Sequence, residues 1–416
     1  MGFREYLTTA PLRFLSADLR RERPGTAVTI YLRGSSFGPD TLSLVAQISR
    51  SLSDWDIYLV VRSPKIFEKT SRRIVPCLEE RGASVTVVEE HSRAFVRGLV
   101  DSSFVFFTTR YDLWNYRLCN RTPSRTFIRI HHGIITKAYG NLRTKQLERQ
   151  RRSRSNELSY PSRLMSLSAV GVDAQSIESE VERHFRVTAE GKKPSLFRTF
   201  GYPRYDRIRA LRSGTATPIV PERSREELEN DGASYRFLYA PTHKDGAYET
   251  TLFPFDGFDV DRFRDFLAER DAVLYVRMHP LEDDDGIYDE YIDGELIRYA
   301  GTTFAQSPIE ILPYFDALVT DYSSIYVDFL PFDGPIVFLT DDHEAFLETR
   351  GLAFDYDRYF PGEKIDDSEA FFVHLERCLA GEERYEDRRA FVRDTFLPER
   401  DDTFLEAVFD EFHSDR

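Results

Sequence analysis

The stretch Asp316 to Thr340, DALVTDYSSIYVDFLPFDGPIVFLT, leaves this chain few folds to choose from. Ala317 to Thr320 is a short apolar run, suited to a strand buried on both faces of a parallel sheet. It ends in Asp321-Tyr322-Ser323-Ser324, before an amphipathic run carrying Ile325, Val327, Phe329 and Leu330. Asp and Ser at a strand-to-helix junction accept from the first free amides of a helix. Those amides also suit a phosphate. Pro335 to Leu339 then returns as the next strand. This is half of a doubly wound domain, with its ligand edge at Asp321 to Ser324.

The same alternation runs through most of the chain. Val28 to Leu32, Ile57 to Val61, Ser84 to Val88, Phe104 to Thr108, Phe127 to Ile130 and Leu164 to Val172 read as strands, the last followed by a helix through Ile177, Val181 and Phe185. Phe237 to Ala240, Val273 to Met278, Ala317 to Thr320 and Ile336 to Leu339 belong to a second set. Strands and helices taking turns imply parallel sheets covered on both faces. A chain of 416 residues exceeds one ordinary core. The expected fold class is therefore α/β, two Rossmann-like doubly wound domains facing across a cleft. The boundaries fall at 1–25 (helical segment), 26–190, 191–385 and 386–416 (C-terminal helix), with Gly191-Lys192-Lys193-Pro194 as the linker. The glycines after the first strand, Arg33-Gly34-Ser35-Ser36-Phe37-Gly38, make no dinucleotide fingerprint, so a nicotinamide cofactor is not indicated.

Composition narrows the function classes. At 41% hydrophobic and 14% aromatic, the chain can fill two cores. No apolar run approaches the roughly 20 residues of a membrane span, and no signal peptide opens the chain. Three scattered cysteines make neither a disulfide framework nor a metal knuckle, which points to a reducing, cytoplasmic setting. The net charge of −14 argues against general nucleic-acid affinity. Only eight of the 56 basic residues are lysine, a bias of solvent and genome rather than of activity. Residues 1 to 23 mix Phe3, Leu7, Phe14 and Leu19 with five arginines, and read either as an interfacial helix on anionic lipid, interrupted at Pro11, or as a helix packed on the body. The basic stretch Arg143 to Arg154 reads as a solvated helix face, a contact for anionic lipid or polymer, or a nucleic-acid site.

Five polar clusters lie at strand ends, where such folds place ligands. His131-His132-Gly133 with Lys137 and Gly140 suits a general base beside a close backbone approach, although a histidine pair also occurs as a structural feature. Gly201-Tyr202-Pro203-Arg204-Tyr205-Asp206 offers Arg204 to an anion, or else a plain turn with a surface ion pair. Tyr239-Ala240-Pro241-Thr242-His243-Lys244 runs from a strand into hydroxyl, imidazole and ammonium groups. Arg277 and His279 point to the same side of a strand and could meet one anion. Asp321, Ser323 and Ser324 complete the set. Imidazoles, cations and helix-start hydroxyls without cysteine suit a diphosphate and transfer of a phosphoryl-linked group. Zinc on His132, His243 and His279 is disfavoured, because their positions lack ligand spacing.

In order, these motifs resemble the CDP-glycerol glycerophosphotransferase family, which makes teichoic-acid-type polymers. The resemblance rests on His132-Gly133-x-x-x-Lys137-x-x-Gly140, Gly201-Tyr202-Pro203-Arg204-x-Asp206, Tyr239-Ala240-Pro241-Thr242, Arg277-Met278-His279-Pro280, Asp316 to Asp328 and Arg350-Gly351-Leu352-Ala353-Phe354-Asp355. It implies a GT-B-like fold with the nucleotide held mainly by the second domain. It further implies His132 and His279 as the catalytic pair: His132 deprotonates the acceptor hydroxyl, which attacks the β-phosphorus of a CDP-glycerol or CDP-ribitol donor. His279 with Arg277 then neutralises the pyrophosphate as CMP leaves. Donor or phosphate contacts fall on Arg277, Asp321, Ser323, Ser324, Lys137, Arg204, Thr242 and His243. No cofactor is required; Mg²⁺ is compatible but not called for. The implied acceptor is a polyol-phosphate, glycan or lipid-linked hydroxyl at an anionic membrane surface, with the chain cytoplasmic or peripheral on the inner face. Ile134-Ile135 stands where the family often has Thr-Pro, His243-Lys244 where it often has an aromatic residue and then Arg, and Asp401-Asp402-Thr403 lacks a usual glycine. These departures bear on which polyol and acceptor are used. A GT-B glycosyltransferase acting on a nucleotide sugar, and a non-catalytic polyanion-binding protein, are the competing classes. The enzyme reading expects the imidazoles of His132 and His279, one from each domain, to face a shared opening beside Ser323.

Overall fold

The computed structural model describes residues 25–32, 37–52, 54–71, 84–90, 92–108, 125–142, 172–242, 252–278, 289–382 and 384–412. They gather into two compact units. The first is drawn from Met1–Gly133, Arg149–Arg207 and Arg400–Arg416, and the second from Ile134–Glu148 and Ile208–Glu399.

The first unit is built on seven strands: β1 (Ala27–Tyr31), β2 (Asp56–Val61), β3 (Ser84–Glu89), β4 (Phe104–Phe107), β5 (Thr126–Arg129), β6 (Ala174–Ser176) and β7 (Phe197–Arg198). They pair in the order β3-β2-β1-β4-β5-β6-β7, every pairing parallel. Sequence order reverses between β1 and β4, as in a doubly wound sheet. Tyr31, Val60, Phe95, Leu99, Val105, Phe107 and Phe127 cluster in its core. The last helix, Phe404–Phe412, closes this unit: Phe409 meets the rings of Trp55 and Phe104 at 5.4 and 4.9 Å, and Phe404 meets Phe106 at 5.8 Å.

The second unit holds six parallel strands: β8 (Tyr235–Tyr239), β9 (Ala272–Val276), β10 (Ile297–Tyr299), β11 (Ala317–Thr320), β12 (Ile336–Leu339) and β13 (Glu363–Ile365). Their order, β10-β9-β8-β11-β12-β13, again reverses once, between β8 and β11. One side is an aromatic layer in which Phe253 packs against Phe258, Phe263 and Phe371 at centroid distances of 5.0, 5.3 and 4.6 Å. Such edge-on and tilted ring contacts favour one arrangement of the core.

Three differences from the sequence reading have local causes. The described strand nearest the expected Leu164 to Val172 is β6, Ala174–Ser176, whose Gln175 and Ser176 are buried despite their polarity; residues 164–171 lie outside the described residues. Gly191 to Pro194 is no boundary, because Gly191 caps the helix Glu180–Glu190 and Pro194 opens a 3-10 turn that feeds β7 of the same sheet. The C-terminal region divides, since Arg393 of the helix Glu386–Phe396 pairs with Asp333 in the second unit while Phe404–Phe412 packs on the first. The amino-terminal segment 1–23 and the basic stretch 143–154 lie outside the described residues. Among the described residues no helix is long and apolar enough to cross a membrane.

Candidate active site

Open parallel sheets bind ligands beyond the carboxyl ends of their strands, where strand order reverses. In the second unit that point lies between β8 and β11, and a polar cluster occupies it. After β8, the Ala240 amide donates to the Val319 carbonyl at 3.0 Å, and the Thr320 hydroxyl returns a bond to the Ala240 carbonyl at 2.7 Å. Pro241 has no N–H, so the next amide available is that of Thr242. It donates to both carboxylate oxygens of Asp321, at 2.9 and 3.0 Å, and the Ser323 amide donates to Oδ1 at 3.1 Å. Asp321 is buried, so this carboxylate ties the two strand ends together where an unmade bond would be costly.

Lys137 joins the cluster, its Nζ donating to the Thr242 hydroxyl at 3.2 Å. The chain that delivers it pairs with the Arg350 to Ala353 motif. The Ala138 amide donates to the Gly351 carbonyl at 3.0 Å, and the Ala353 amide to the Thr136 carbonyl at 2.8 Å. Gly351 has φ +69°, and a Cβ there would stand 3.3 Å from that of Ala138. Four motifs, from Lys137, Thr242, Asp321-Ser323 and Gly351, thus meet in one unit.

The helix after Asp321 is shorter than its apolar pattern suggests. It runs from Ile325 to Phe329 and gives way to a 3-10 turn at Leu330–Phe332, where Pro331 has no amide to continue it. Ser324 sits at the cap position with its backbone already helical, and its side chain makes no cap bond. Asp321 does not cap either; its oxygens go to the Thr242 and Ser323 amides. Ser323 and Ser324 are both half-buried. Tyr322 turns inward and stacks on Phe346 at 3.8 Å, where burial pushes its phenol well above the usual range.

The histidine motif divides. His131 to Gly133 closes the first unit after β5, and Ile134 onward is built into the second. His131 and Gly133 both have positive φ, +51° and +84°, a rare backbone for a residue other than glycine. His131 is buried, His132 is exposed, and their rings stack at 4.4 Å.

Two arginines expected on the donor make buried hydrogen bonds within the protein. Arg204 is buried, not at the surface, and bonds Asp40 through Nε and Nη2 at 2.9 and 2.6 Å. Asp206 accepts from Gln47 and from the Phe404 amide. Arg277 is buried and donates to main-chain carbonyls, with Nη1 at 2.7 Å from Ala300 O and 2.8 Å from Ala305 O. It fastens the loop after β10. His243 and His279 lie outside the described residues.

Comparisons with known proteins identify the family. A family model described as CDP-Glycerol:Poly(glycerophosphate) glycerophosphotransferase matches residues 17–413. The chain belongs to this family. Among glycerophosphotransferase relatives, a teichoic acid glycerol-phosphate primase of Bacillus spizizenii is 26% identical over 271 residues, covering 65% of this chain and 62% of the primase. The teichoic acid ribitol-phosphate polymerase TarL of Staphylococcus aureus is 26% identical over 201 residues, 48% of this chain and 34% of TarL. The chain thus spans from about a third to about three-fifths of the length of these curated relatives. A structure of the wall teichoic acid polymerase TagF superposes with a TM-score of 0.69 at 16% identity, covering 98% of this chain and 93% of that one. The fold is therefore the GT-B-like α/β fold of this family. Sequence reasoning missed Asp40, the partner of Arg204, which lies 164 positions away in no recognisable motif. The one available signal was a carboxylate directly after Gly38-Pro39, at a helix start following a strand.

Proposed function

We propose that this glycerophosphotransferase transfers glycerol phosphate or ribitol phosphate from a CDP-linked donor to a hydroxyl of a teichoic-acid-type acceptor, releasing CMP. The acceptor oxygen attacks the β-phosphorus, and the bond from that phosphorus to the oxygen of CMP breaks. The acceptor proton passes to the imidazole of His132, which must be neutral to take it. Lys137, the Thr242 hydroxyl and the hydroxyls of Ser323 and Ser324 hold the diphosphate, with Asp321 fixing the strand ends that carry them. His279 supplies the donor that balances charge on the departing CMP. Arg277 serves by holding the loop at 300–306. The acceptor is lipid-linked and met at an anionic membrane surface, for which the arginines of residues 1–23 and the basic run 143–154 are the sequence support.

The observation carrying this reading is the Lys137–Thr242 contact at 3.2 Å, on a threonine whose amide is clamped by Asp321 where the strand order reverses. Charge-assisted donors on a rigid strand end are what a transferred phosphoryl group needs. The test supplies CDP-glycerol and CDP-ribitol with a glycerol-phosphate-primed lipid and identifies the nucleotide released. CMP, lost in His132→Ala, supports the reading. A nucleoside diphosphate released from a UDP-sugar, with no CMP from either cytidine donor, replaces it with a glycosyltransferase.

A further inference from the structure

The turn that presents His132 lies against a buried ion pair, of which one member, Asp40, falls in no motif. Gly133 has φ +84°, and a Cβ placed on it would lie 2.5 Å from Nη1, 2.7 Å from Cζ and 3.0 Å from Nε of Arg204. The guanidinium therefore fills the space directly beneath the residue that follows His132. Asp40 holds it there through Nε and Nη2 on a single oxygen, Oδ2. Asp40 and Arg204 are 2% and 5% exposed. Each is the second residue of a helix opened by proline, Pro39–Ser51 and Pro203–Arg212, whose N-terminal turns bring the two groups together.

The support is itself anchored. The Tyr202 amide donates to Glu178 Oε2 at 2.8 Å, the Ser176 hydroxyl bonds the Gly201 carbonyl, and the Tyr202 hydroxyl bonds Glu182. Asp206, one helical half-turn on, accepts from Gln47 of the Asp40 helix at 2.8 Å. Arg204 thus stands on a rigid base at the ends of β6 and β7, on the same sheet as β5, which carries His131 to Gly133. A buried charge pair of this kind loses more when one partner is removed than it gains by forming.

We propose that Asp40 and Arg204 form a brace that fixes the His132-Gly133 turn, making Arg204 a positioning residue for His132 rather than a ligand of the donor. The brace explains why position 133 is glycine, since any side chain there would displace the guanidinium. In catalysis the brace acts on the orientation of the base and not on donor affinity. That consequence rests on His132 being the base; the mechanical claim does not.

The test uses the full chain labelled in its histidine rings, with Asp40→Asn, Arg204→Ala and Arg204→Lys, and with Arg212→Ala as a control at the far end of the same helix. The expected result is a shifted or broadened His132 resonance in Asp40→Asn and Arg204→Ala, with His184 and His374 unmoved. Guanidinium ion added to Arg204→Ala restores the resonance in part, and Arg212→Ala leaves it unchanged. In turnover with CDP-glycerol, the same variants lose at least about tenfold in kcat with donor KM within about twofold, the pattern of a misplaced catalytic group. A His132 resonance identical to wild type in folded Asp40→Asn and Arg204→Ala overturns the brace. A rise in donor KM with kcat unchanged overturns it as well and makes Arg204 a donor ligand. If ring signals respond as expected but no variant and no wild type releases CMP, the brace stands and the transferase reading falls.

Discussion

Replacing Asp321 by alanine removes the carboxylate that joins the ends of β8 and β11, and the cost can be worked from its partners. Two amides lose their acceptor: Thr242, bonded to both oxygens at 2.9 and 3.0 Å, and Ser323, at 3.1 Å. Each amide left without a partner costs about 1–3 kcal/mol when buried. Ser323 is half-buried and can turn to water, so the Thr242 amide dominates. The sum is about 3 kcal/mol, which for a unit of some 200 residues lowers the melting temperature by about 6–12 °C. Asp321→Asn keeps one oxygen but sets an NH₂ group against an amide, and falls between wild type and alanine. Calorimetric or circular-dichroism melts at neutral pH read both values. An alanine variant melting within about 2 °C of wild type refutes the claim that this carboxylate holds the strand ends. If the melt behaves as expected, CDP-glycerol binding weakens too, since Thr242 is the residue Lys137 leans on.

Two further outcomes follow from the structure. Asp293 accepts from the amides of Glu295, Leu296 and Ile297 at 2.8, 2.8 and 3.0 Å, ahead of β10. Burial alone would raise its carboxyl, but these amides and Arg264 outweigh it and hold the group below its usual range. Its stabilisation is therefore complete above the ordinary carboxylate pKa and lost as pH falls through the lowered folded value. The gap in melting temperature between wild type and Asp293→Asn accordingly closes on acidification; a gap that widens rejects the argument. Gly133→Ala and Gly214→Ala both place alanine at positive φ, but only position 133 has Arg204 in the way, with nothing within 4 Å at 214. Gly214→Ala costs about 1–2 kcal/mol of backbone strain, and Gly133→Ala costs more in matched denaturant titrations; equal costs mean that Arg204 moves aside freely.

Most of the sheet strands could be read from the chain because apolar runs such as Phe104–Phe107 and Ile336–Leu339 are unbroken and end in polar turns. β10 and β13 could not, since three residues reading Ile-Arg-Tyr and Glu-Lys-Ile at the sheet edges carry no periodic signal. The site followed the same division. Asp321, Ser323, Thr242 and Lys137 stand at strand ends or on a motif spacing, and they meet in the second unit. Arg204 and Arg277 were recognisable as charged residues in motifs, but their partners were not: Asp40 is remote in sequence, and the acceptors of Arg277 are backbone carbonyls, which every residue has. The attachment of Phe404–Phe412 to the first sheet likewise depends on Trp55 and Phe104, which no local pattern links to it.

The central claim is that the Lys137–Thr242–Asp321–Ser323 cluster holds the diphosphate of a cytidine donor. Isothermal titration of CDP-glycerol into wild type and Lys137→Ala tests it most directly. Loss of one charge-assisted contact, about 1.5–3 kcal/mol, predicts binding weakened about 10- to 150-fold in the variant. Equal affinities in the two proteins, or no binding of any cytidine nucleotide by wild type, contradict it.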